Sequence, residues 1–275
     1  MKTFSDPAKL QRWCSARRAS GARIALVPTM GALHEGHLSL IEAAKKAGAD
    51  EIVVSVFVNP TQFGPNEDYA KYPRDAKADA AKCRRAGATA IFFPTPSNMY
   101  APDHSVWVVE DGALSDCLCG ARRPGHFRGV CTVVAKLFNL VHPHTAVFGQ
   151  KDFQQATIIR RMVRDLDFDV DVIVAPIVRE PSGLALSSRN AYLSEEEREN
   201  ALAISRSLAS VKTGQWAVQR RRNERNLEAH GLKVDYAEAV DVETLRPVKT
   251  VRKGVAVLIA AYDGKTRLID NRVFS

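Results

Sequence analysis

Short, almost continuously apolar segments alternate with segments of helical spacing through most of the chain. They predict six strands, at residues 23–29, 51–58, 88–94, 106–110, 144–149 and 169–176. A strand that is apolar on both faces is buried on both faces, as in parallel sheets that helices cover. The helical segments between them, at residues 36–47, 75–86, 130–141 and 153–165, would supply the crossovers. We therefore predict an α/β fold built on a Rossmann-like, doubly wound parallel sheet.

The pattern changes towards the C-terminus. Ser194 and Glu197 form a capping-box pattern at the start of a helix, a second and basic helix follows, and three strand-like runs come last. We place the linker in the Pro-, Gly- and Ser-rich residues 181–188. The prediction is a first domain of residues 1–184 and a smaller α+β domain of residues 185–275 that acts as a lid.

The charge of the chain favours an anionic ligand but does not identify it. Lys and Arg number 39 against 31 Asp and Glu, a net charge of +8. Part of the excess is a run of arginines: Arg220, Arg221, Arg222 and Arg225. This run reads as a solvated helix face or as an RNA-binding patch, and no aromatic residues interleave with it to stack on bases.

The remaining composition predicts a cytoplasmic protein with no role at a membrane. The N-terminus has no apolar core of signal-peptide length, and no apolar stretch approaches the ~20 residues that span a bilayer. The five cysteines are odd in number and scattered, which is typical of a reducing compartment. Cys117 and Cys119 lack the spacing of a zinc module.

Ligands of open parallel sheets bind beyond the carboxyl ends of the strands. The first such end carries Met-Gly-Ala-Leu-His-Glu-Gly-His at residues 30–37. Gly31 and Gly36 allow close approach of a ligand, and a helix N-terminus presents free N–H groups to phosphate. His34 and His37 would lie on one side of a helical turn and stabilise charge on a departing pyrophosphate. Histidines that merely cap or pack are the alternative, and the spacing is not the H-E-x-x-H of zinc proteases.

Two further strand ends carry polar side chains. Asn59 and Gln62 offer donors and acceptors that suit a hydroxyl and a carboxylate, although an Asn-Pro turn would use the same residues. Lys151 could bind phosphate as a point charge. Asp152 and Gln155 also satisfy the capping-box pattern, so a purely structural interpretation of this segment stays open.

A fourth polar segment ends the linker. Ser187, Ser188 and Arg189 place two hydroxyls and a guanidinium in a loop that could close over a triphosphate. A polar linker without a ligand is the alternative.

Together these motifs resemble a known enzyme family. Residues 30–37 resemble the HIGH-type motif of the nucleotidylyltransferase superfamily, and residues 186–189 resemble its KMSKS-type counterpart. The whole pattern resembles the pantoate–β-alanine ligase family, through VPTMGALHEGHLSL, VSVFVNPTQFGPNEDYAKYPRD, RPGHFRGVCTVVAKLFNLVHPHTAVFGQKDFQQ, GLALSSRNAYLS and TRLIDN. These five blocks occur in the expected order through nearly the whole chain.

The resemblance implies a two-step reaction. The carboxylate of pantoate attacks the α-phosphate of ATP and gives pantoyl-adenylate and pyrophosphate. The amine of β-alanine then attacks the acyl carbon and gives pantothenate and AMP. The protein need only position the reactants and stabilise phosphate charge, so no covalent nucleophile is required. The resemblance also implies Mg²⁺ with ATP, and a homodimer.

The resemblance further implies roles for individual residues. His37, His34 and Lys151 would be catalytic, with His37 as proton donor. Gln62 and Gln155, with Asn59, would contact pantoate and β-alanine, and Asp79 would lie near the magnesium ion. The ATP-binding residues would be Met30, Gly31, Ala32, Leu33, His34, Glu35, Gly36, His37, Gly149, Gln150, Lys151, Asp152, Val178, Leu186, Ser187, Ser188 and Arg189.

Two other functions stay open at this stage. One is nucleotidyl transfer to a phosphate acceptor within the same superfamily, which would favour more cations around Asn59, Gln62 and Gln155. The other is a non-catalytic RNA-binding module that uses the positive charge. The resemblance indicates small-molecule substrates and no nucleic acid partner.

Overall fold

The structure is a computed structural model that describes residues 1–65 and 67–275. Its helices and strands follow in chain order: β1 Lys2–Phe4, α1 Pro7–Ala19, β2 Ile24–Thr29, α2 Glu35–Lys46, β3 Glu51–Val56, α3 Ala76–Ala86, β4 Ala90–Phe92, α4 Pro96–Met99, α5 Leu118–Arg122, α6 His126–Val141, β5 Thr145–Gly149, α7 Phe153–Asp165, β6 Asp171–Ala175, α8 Glu195–Ser210, β7 Gly214–Gln215, α9 Trp216–Ala229, β8 Lys233–Asp241, β9 Thr250–Val251, β10 Val255–Asp263 and β11 Thr266–Phe274. Short 3₁₀ helices cover Pro60–Gln62, Gln150–Asp152 and Ser188–Tyr192.

The predicted parallel sheet is confirmed. Six strands pair in the order β1-β4-β3-β2-β5-β6, and every pairing is parallel. The chain builds outward from β2 through β3 to β4, and then on the other side from β5 to β6. The strand order therefore reverses between β2 and β5, which is the point at which open α/β sheets form a ligand crevice.

One predicted strand is wrong. Residues 106–110 form neither helix nor strand, and the sixth strand of the sheet is the unpredicted β1 at the N-terminus. The segment packs on α6, where the Val108 N–H donates to Thr132 Oγ1 at 3.1 Å and the Arg128 guanidinium lies over the Trp107 ring. Val106 and Val109 are exposed instead of buried. The apolar run has the composition of a strand, but it pairs with no strand of the described residues.

Helices cover both faces of the parallel sheet, as continuous apolar strands require. On one face α1, α6 and α7 contribute Leu10, Phe138 and Ile159 to the core. On the other face α2 and α3 contribute Ile41 and Cys83. Leu and Ile side chains buried this fully each contribute about 1.5–3 kcal/mol to stability relative to exposure.

The C-terminal part is a three-stranded antiparallel sheet, in the order β11-β10-β8, packed against α8 and α9. The predicted capping box is confirmed at the start of α8: Ser194 Oγ accepts the Glu197 N–H, and Glu197 Oε2 accepts the Ser194 N–H. Its own core includes Ala203, Trp216 and Ile259. The boundary at residues 184 and 185 stays a prediction.

The helices of the described residues include none that is long and apolar enough to cross a membrane.

Candidate active site

The predicted polar segments meet at the carboxyl edge of the parallel sheet. Met30 follows β2, Asn59 follows β3, the segment Gln150–Asp152 follows β5, and Val178 follows β6. Because all six strands run in the same direction, their carboxyl ends open on one cleft. That cleft has a volume of about 200 Å³ and joins a larger one, of about 1220 Å³, against the C-terminal sheet.

The rings of the two histidines of the first segment pack against each other at a tilt of 42°. His34 is the N-cap of α2, its N–H donates to His37 Nδ1 at 3.3 Å, and the ring centroids lie 4.1 Å apart. Because His37 Nδ1 accepts this bond, its Nε2 carries the proton of the neutral ring. A Cβ at Gly36 would lie 2.9 Å from the His34 ring, so glycine at this position makes room for it.

Both histidines are neutral in the free protein. Burial, with Lys151 and Lys82 nearby, lowers the pKa of His34 to about 4. Burial and the neighbouring His34 lower the pKa of His37 well below its usual value. His34 Nδ1 is buried and has no hydrogen-bond partner among the described residues. A polar atom left without a partner costs stability and is the kind of group that a bound ligand can satisfy.

The segment after β5 is held by the C-terminal domain. Asn271 Nδ2 donates to the carbonyls of Gln150 and Lys151, at 2.9 and 3.1 Å, and Gln150 Nε2 donates to Asn271 Oδ1. Lys151 Nζ lies 3.3 Å from Asp152 Oδ2. The capping box considered for Asp152 and Gln155 does not form, since Asp152 makes no side-chain cap on α7. Both side chains line the cleft instead.

The serine–arginine loop folds onto the first segment. Ser188 Oγ donates to the carbonyl of Ala32 at 3.1 Å. The Arg189 guanidinium forms two hydrogen bonds to Asp68, at 2.9 and 2.8 Å, and lies over the Tyr72 ring. The KMSKS-type segment therefore packs over the HIGH-type segment, and its arginine is neutralised by a carboxylate in the free protein.

Asn59 and Gln62 form one buried hydrogen-bonded unit. Asn59 Nδ2 donates to Gln62 Oε1 at 3.0 Å and to the Gly129 carbonyl at 3.2 Å, and its Oδ1 accepts the Tyr100 hydroxyl at 2.8 Å. Both hydrogens of the Asn59 amide are therefore in use. Gln62 Nε2 meets Met30 Sδ at 3.3 Å, so the end of this unit that faces the cleft is Gln62.

A second network holds the backbone of Gln62. His126 Nδ1 lies 2.8 Å from the Gln62 carbonyl, and Arg123 forms an ion pair with Glu67 and a hydrogen-bond contact of 3.0 Å with His126. Burial, with Arg123 beside it, lowers the pKa of His126 to about 4, so this imidazole is neutral. The side chains that fix Gln62 thus come from α6 and from the loop before it.

Asp79 does not face the cleft. It lies in α3, is 2% exposed, and its Oδ2 and Oδ1 accept the N–H groups of Ala32 and Leu33 at 3.0 and 2.8 Å. Burial raises the pKa of its carboxyl, and the two N–H donors oppose that shift. Among residues 1–65 and 67–275, no group of three His, Cys, Asp or Glu side chains is arranged to hold a metal ion.

The structure brings most of the predicted site residues together. The side of the cleft at the sheet is lined by Met30, His34, Gly36, His37, Asn59, Gln62, Gly149, Lys151, Asp152, Gln155, Val178, Leu186, Ser187, Ser188 and Arg189. Five predicted nucleotide residues do not line it: Gly31, Ala32 and Leu33 form the turn beneath it, Glu35 is exposed, and Gln150 bonds Asn271.

Several lining residues escaped the sequence analysis. Tyr72, together with Val130, Val133 and Val134 of α6, lines the same cleft. The signal for α6 was present, since its segment predicts a buried helix, but sequence spacing does not tell which buried face borders a cavity. Tyr72 is buried, and burial raises the pKa of its phenol.

The fold and the cleft define the class of nucleotide-using α/β enzymes. The fold is a doubly wound parallel sheet. Its strand ends carry a histidine pair at a helix N-terminus, a lysine, and a serine–arginine loop that folds over them. Comparison with known proteins narrows the class. The family model described as Pantoate-beta-alanine ligase matches residues 2–273.

Known relatives agree with this match over the whole chain. The pantothenate synthetase of Anaeromyxobacter dehalogenans is 54% identical over 98% of this chain and 99% of its own. Among solved structures, the pantothenate synthetase of Thermus thermophilus is 43% identical with a TM-score of 0.93, covering both chains fully. The pantoate–β-alanine ligase of Francisella tularensis, complexed with β-γ ATP and β-alanine, is 33% identical with a TM-score of 0.83 over 99% of this chain and 97% of that one.

The chain therefore belongs to the pantoate–β-alanine ligase family, and it is an ATP-using carbon–nitrogen ligase that condenses pantoate with β-alanine. The family resemblance and the fold drawn from the sequence are both confirmed. The two functions left open, nucleotidyl transfer to a phosphate and RNA binding alone, are wrong as the primary activity.

Proposed function

We propose that the cleft at the carboxyl edge of the sheet binds ATP and pantoate side by side and forms pantoyl-adenylate, which β-alanine then converts to pantothenate. The observation that carries this proposal is that one cleft contains both side chains that can donate hydrogen bonds to phosphate and side-chain amides. His34, His37 and Lys151 line it together with Gln62 and Gln155. An enzyme with a phosphate acceptor would be expected to have cationic side chains in place of Gln62 and Gln155, whereas amide side chains suit a hydroxy acid.

ATP would lie across residues 30–37, the Gly149–Asp152 segment and residues 186–189. His34 is the N-cap of α2, and the free N–H groups and the positive dipole end of this helix favour a phosphate there. Lys151 adds a point charge from the neighbouring strand end. Arg189 would exchange Asp68 for phosphate as the loop closes, since phosphate also accepts two parallel guanidinium bonds.

The histidines would act first as neutral donors. Both side chains are neutral near pH 7, so each offers one ring N–H to a phosphate oxygen. Negative charge arriving beside them raises the pKa of each ring, which allows His37 to become the proton donor that the family resemblance implies. The charge on the departing pyrophosphate would be met by donors already in place, which costs no reorganisation.

Pantoate would be oriented by Gln62 and Gln155 so that its carboxylate faces the α-phosphate. One carboxylate oxygen bonds to phosphorus as the bond to pyrophosphate breaks. The amine of β-alanine then bonds to the acyl carbon, loses a proton and releases AMP. The contacts of Asn59 support an indirect role, since both its amide hydrogens are used within the protein to hold Gln62 and Gly129.

β-Alanine has a route to the cleft from the C-terminal side. The larger cavity shares Lys151, Asp152, Gln155, Ser187 and Arg189 with the sheet-side cleft. Its far wall is built from the C-terminal sheet, which supports the proposal that residues 185–275 act as a lid.

The described residues contain no group of three His, Cys, Asp or Glu side chains that could hold Mg²⁺. Asp79 is the residue expected to lie near the magnesium ion, but both of its carboxylate oxygens accept hydrogen bonds from backbone N–H groups. We propose that Mg²⁺ is held mainly by the phosphates of ATP, as this hard cation commonly is.

The exposed valines support a homodimer. Val106 is 79% exposed and Val109 is 55% exposed, in a segment of strand-like composition without a strand partner in the described chain. Contact between two copies through this segment would cover exposed apolar surface. Replacement of both valines by lysine is expected to give a monomer in sedimentation experiments. A dimer that persists in this variant would show that the interface does not include this segment.

The arginine run does not require a nucleic acid partner. Arg220 forms ion pairs with Glu224 and Glu238, at 2.8 Å each, and Arg222 donates to Ser210. These contacts support the solvated-face interpretation of α9. We also propose a cytoplasmic location, which the five unpaired thiols support.

The proposed chemistry is tested by exchange of labelled pyrophosphate into ATP. We expect exchange to require pantoate and Mg²⁺ but not β-alanine, because the adenylate forms before the amine is used. Other small carboxylic acids serve as controls. Exchange of equal rate without pantoate would contradict the proposal.

A further inference from the structure

The turn of residues 30–34 has a backbone that its own sequence does not stabilise. Gly31 and Ala32 both have positive φ, at 91° and 50°. Glycine adopts this region freely, but alanine pays roughly 1–2 kcal/mol for it. The turn forms neither helix nor strand. Some partner outside the turn must therefore hold it.

Helix α3 supplies that partner. The Asp79 carboxylate receives the successive N–H groups of Ala32 and Leu33, a convergence of backbone donors that elsewhere binds phosphate or other anions. Three residues later on the same helix, Lys82 Nζ donates to the Leu33 carbonyl at 2.5 Å. The N–H and the C=O of Leu33 are thus both bound to side chains of α3.

The fit between the carboxylate and the turn leaves no space to spare. A Cβ on Gly31 would lie 2.9 Å from Val56 Cγ1 and 3.0 Å from Asp79 Oδ2. Asp79 is packed beneath the turn, away from the cleft on the other side. A cation approaching from the cleft would have to displace the turn itself to reach these oxygens.

The turn passes this constraint on to both proposed nucleotide segments. The Ala32 carbonyl accepts Ser188 Oγ, so the residue whose N–H is held by Asp79 also anchors the serine–arginine loop. Leu33 is buried and directly precedes His34, the N-cap of α2. The direction of the first free N–H groups of α2 therefore depends on where Asp79 holds the turn.

We propose that Asp79 is a positioning residue, which holds residues 31–33 in the conformation that binds ATP, and that it is not a ligand of magnesium. The inference rests on the proposed role of residues 30–37 in binding ATP. It concerns ATP affinity in the absence of metal, which separates the two roles: a metal ligand acts only when the ion is present.

The test replaces Asp79 by Asn, which has almost the same shape but turns an N–H₂ group towards a backbone N–H. Calorimetric titration with ATP in EDTA measures affinity without metal, and the Mg²⁺ concentration that gives half-maximal pyrophosphate exchange measures the metal requirement. We expect the metal-free Kd for ATP to rise by about 10- to 100-fold, since one charge-assisted hydrogen bond is replaced by repulsion. The Mg²⁺ requirement at saturating ATP should not change.

Asp75→Asn is the matched control. Asp75 is exposed, lies four residues earlier, and caps α3 by accepting the Ala78 N–H. Asn caps equally well, so this variant changes the same charge close by without touching the turn. Its ATP affinity should equal that of the unchanged protein.

Two outcomes would overturn the inference: an unchanged metal-free Kd with a raised Mg²⁺ requirement, or no change in either. If Asp79→Asn melts below the assay temperature, Lys82→Met takes its place, because it removes the second contact to Leu33 and must also weaken metal-free ATP binding. His34→Ala tests the underlying proposal separately. If that variant exchanges pyrophosphate into ATP at the normal rate, the proposed role of residues 30–37 is wrong, whatever Asp79 does.

Discussion

Replacing Gly129 by alanine tests the most closely packed backbone contact in the proposed substrate site. Gly129 lies in the second turn of α6, and a Cβ there would be 2.4 Å from the Thr61 carbonyl oxygen and 2.6 Å from the Gln62 nitrogen. Both neighbours are backbone atoms, so neither can rotate away. The Gly129 carbonyl also accepts a hydrogen bond from Asn59.

Two opposing effects set the size of the change. Alanine favours a helix over glycine by about 1 kcal/mol, which would stabilise α6. Ordinary contact begins at 3.4 Å, so the Thr61–Gln62 backbone must shift by about 1 Å, and overpacking of this kind costs about 1–3 kcal/mol. The net loss is at most about 2 kcal/mol, or a few degrees in the melting temperature of a chain this long. The protein should therefore still fold.

The activity should suffer far more than the stability. A displacement of about 1 Å in a residue that orients the substrate can reduce the rate by about 10²-fold. We expect pantoate-dependent pyrophosphate exchange to fall by that order, with a higher KM for pantoate and an unchanged Kd for ATP. Steady-state exchange, ATP titration and a melting curve on the same preparation measure the three quantities.

Gly64→Ala is the control, because Gly64 lies in the same loop as Thr61 and Gln62, and the atoms nearest to its added Cβ would be those of the Glu67 side chain, at 3.5 Å or more. It should retain nearly full activity. Normal pantoate kinetics in a folded Gly129→Ala protein would refute the idea that α6 fixes the position of Gln62.

Three further predictions concern the histidines and Gln62. His34→Ala and His37→Ala should each slow single-turnover formation of pantoyl-adenylate by about 10²–10³-fold, with little change in melting temperature; a normal rate would remove that histidine from the mechanism. Gln62→Ala should raise the KM values for pantoate and β-alanine more than the Kd for ATP, and a loss of ATP affinity alone would contradict its assignment. Stability should fall as the pH drops from about 6.5 towards 4, because burial lowers the pKa of His34 and of His126 to about 4 and the unfolded chain therefore binds more protons in this range. His126→Gln should flatten this dependence in melting curves taken across that range, and an unaltered slope would show that His126 is not the source.

The amino-acid sequence by itself determined the fold class and the identity of most lining residues. Continuous apolar strands require burial on both faces, and this local property is visible without any contact being known. The turn after β2 was equally readable, because Gly31 and Gly36 mark backbone that must approach something closely. The ordered motifs that follow the strands then led to the family.

Only the tertiary structure decided which polar residues face the cleft and which form hydrogen bonds within the protein. Asp79 has the chemistry of a metal ligand, yet the packing of α3 directs both its oxygens to the turn. Asn59 has the chemistry of a substrate contact, yet its amide is used up by Gln62 and Gly129. The segment 106–110 has the composition of a strand but pairs with no strand of residues 1–65 and 67–275. In each case the contacts of the residue depend on partners that are distant in sequence. The neighbouring residues along the chain do not determine where those partners lie.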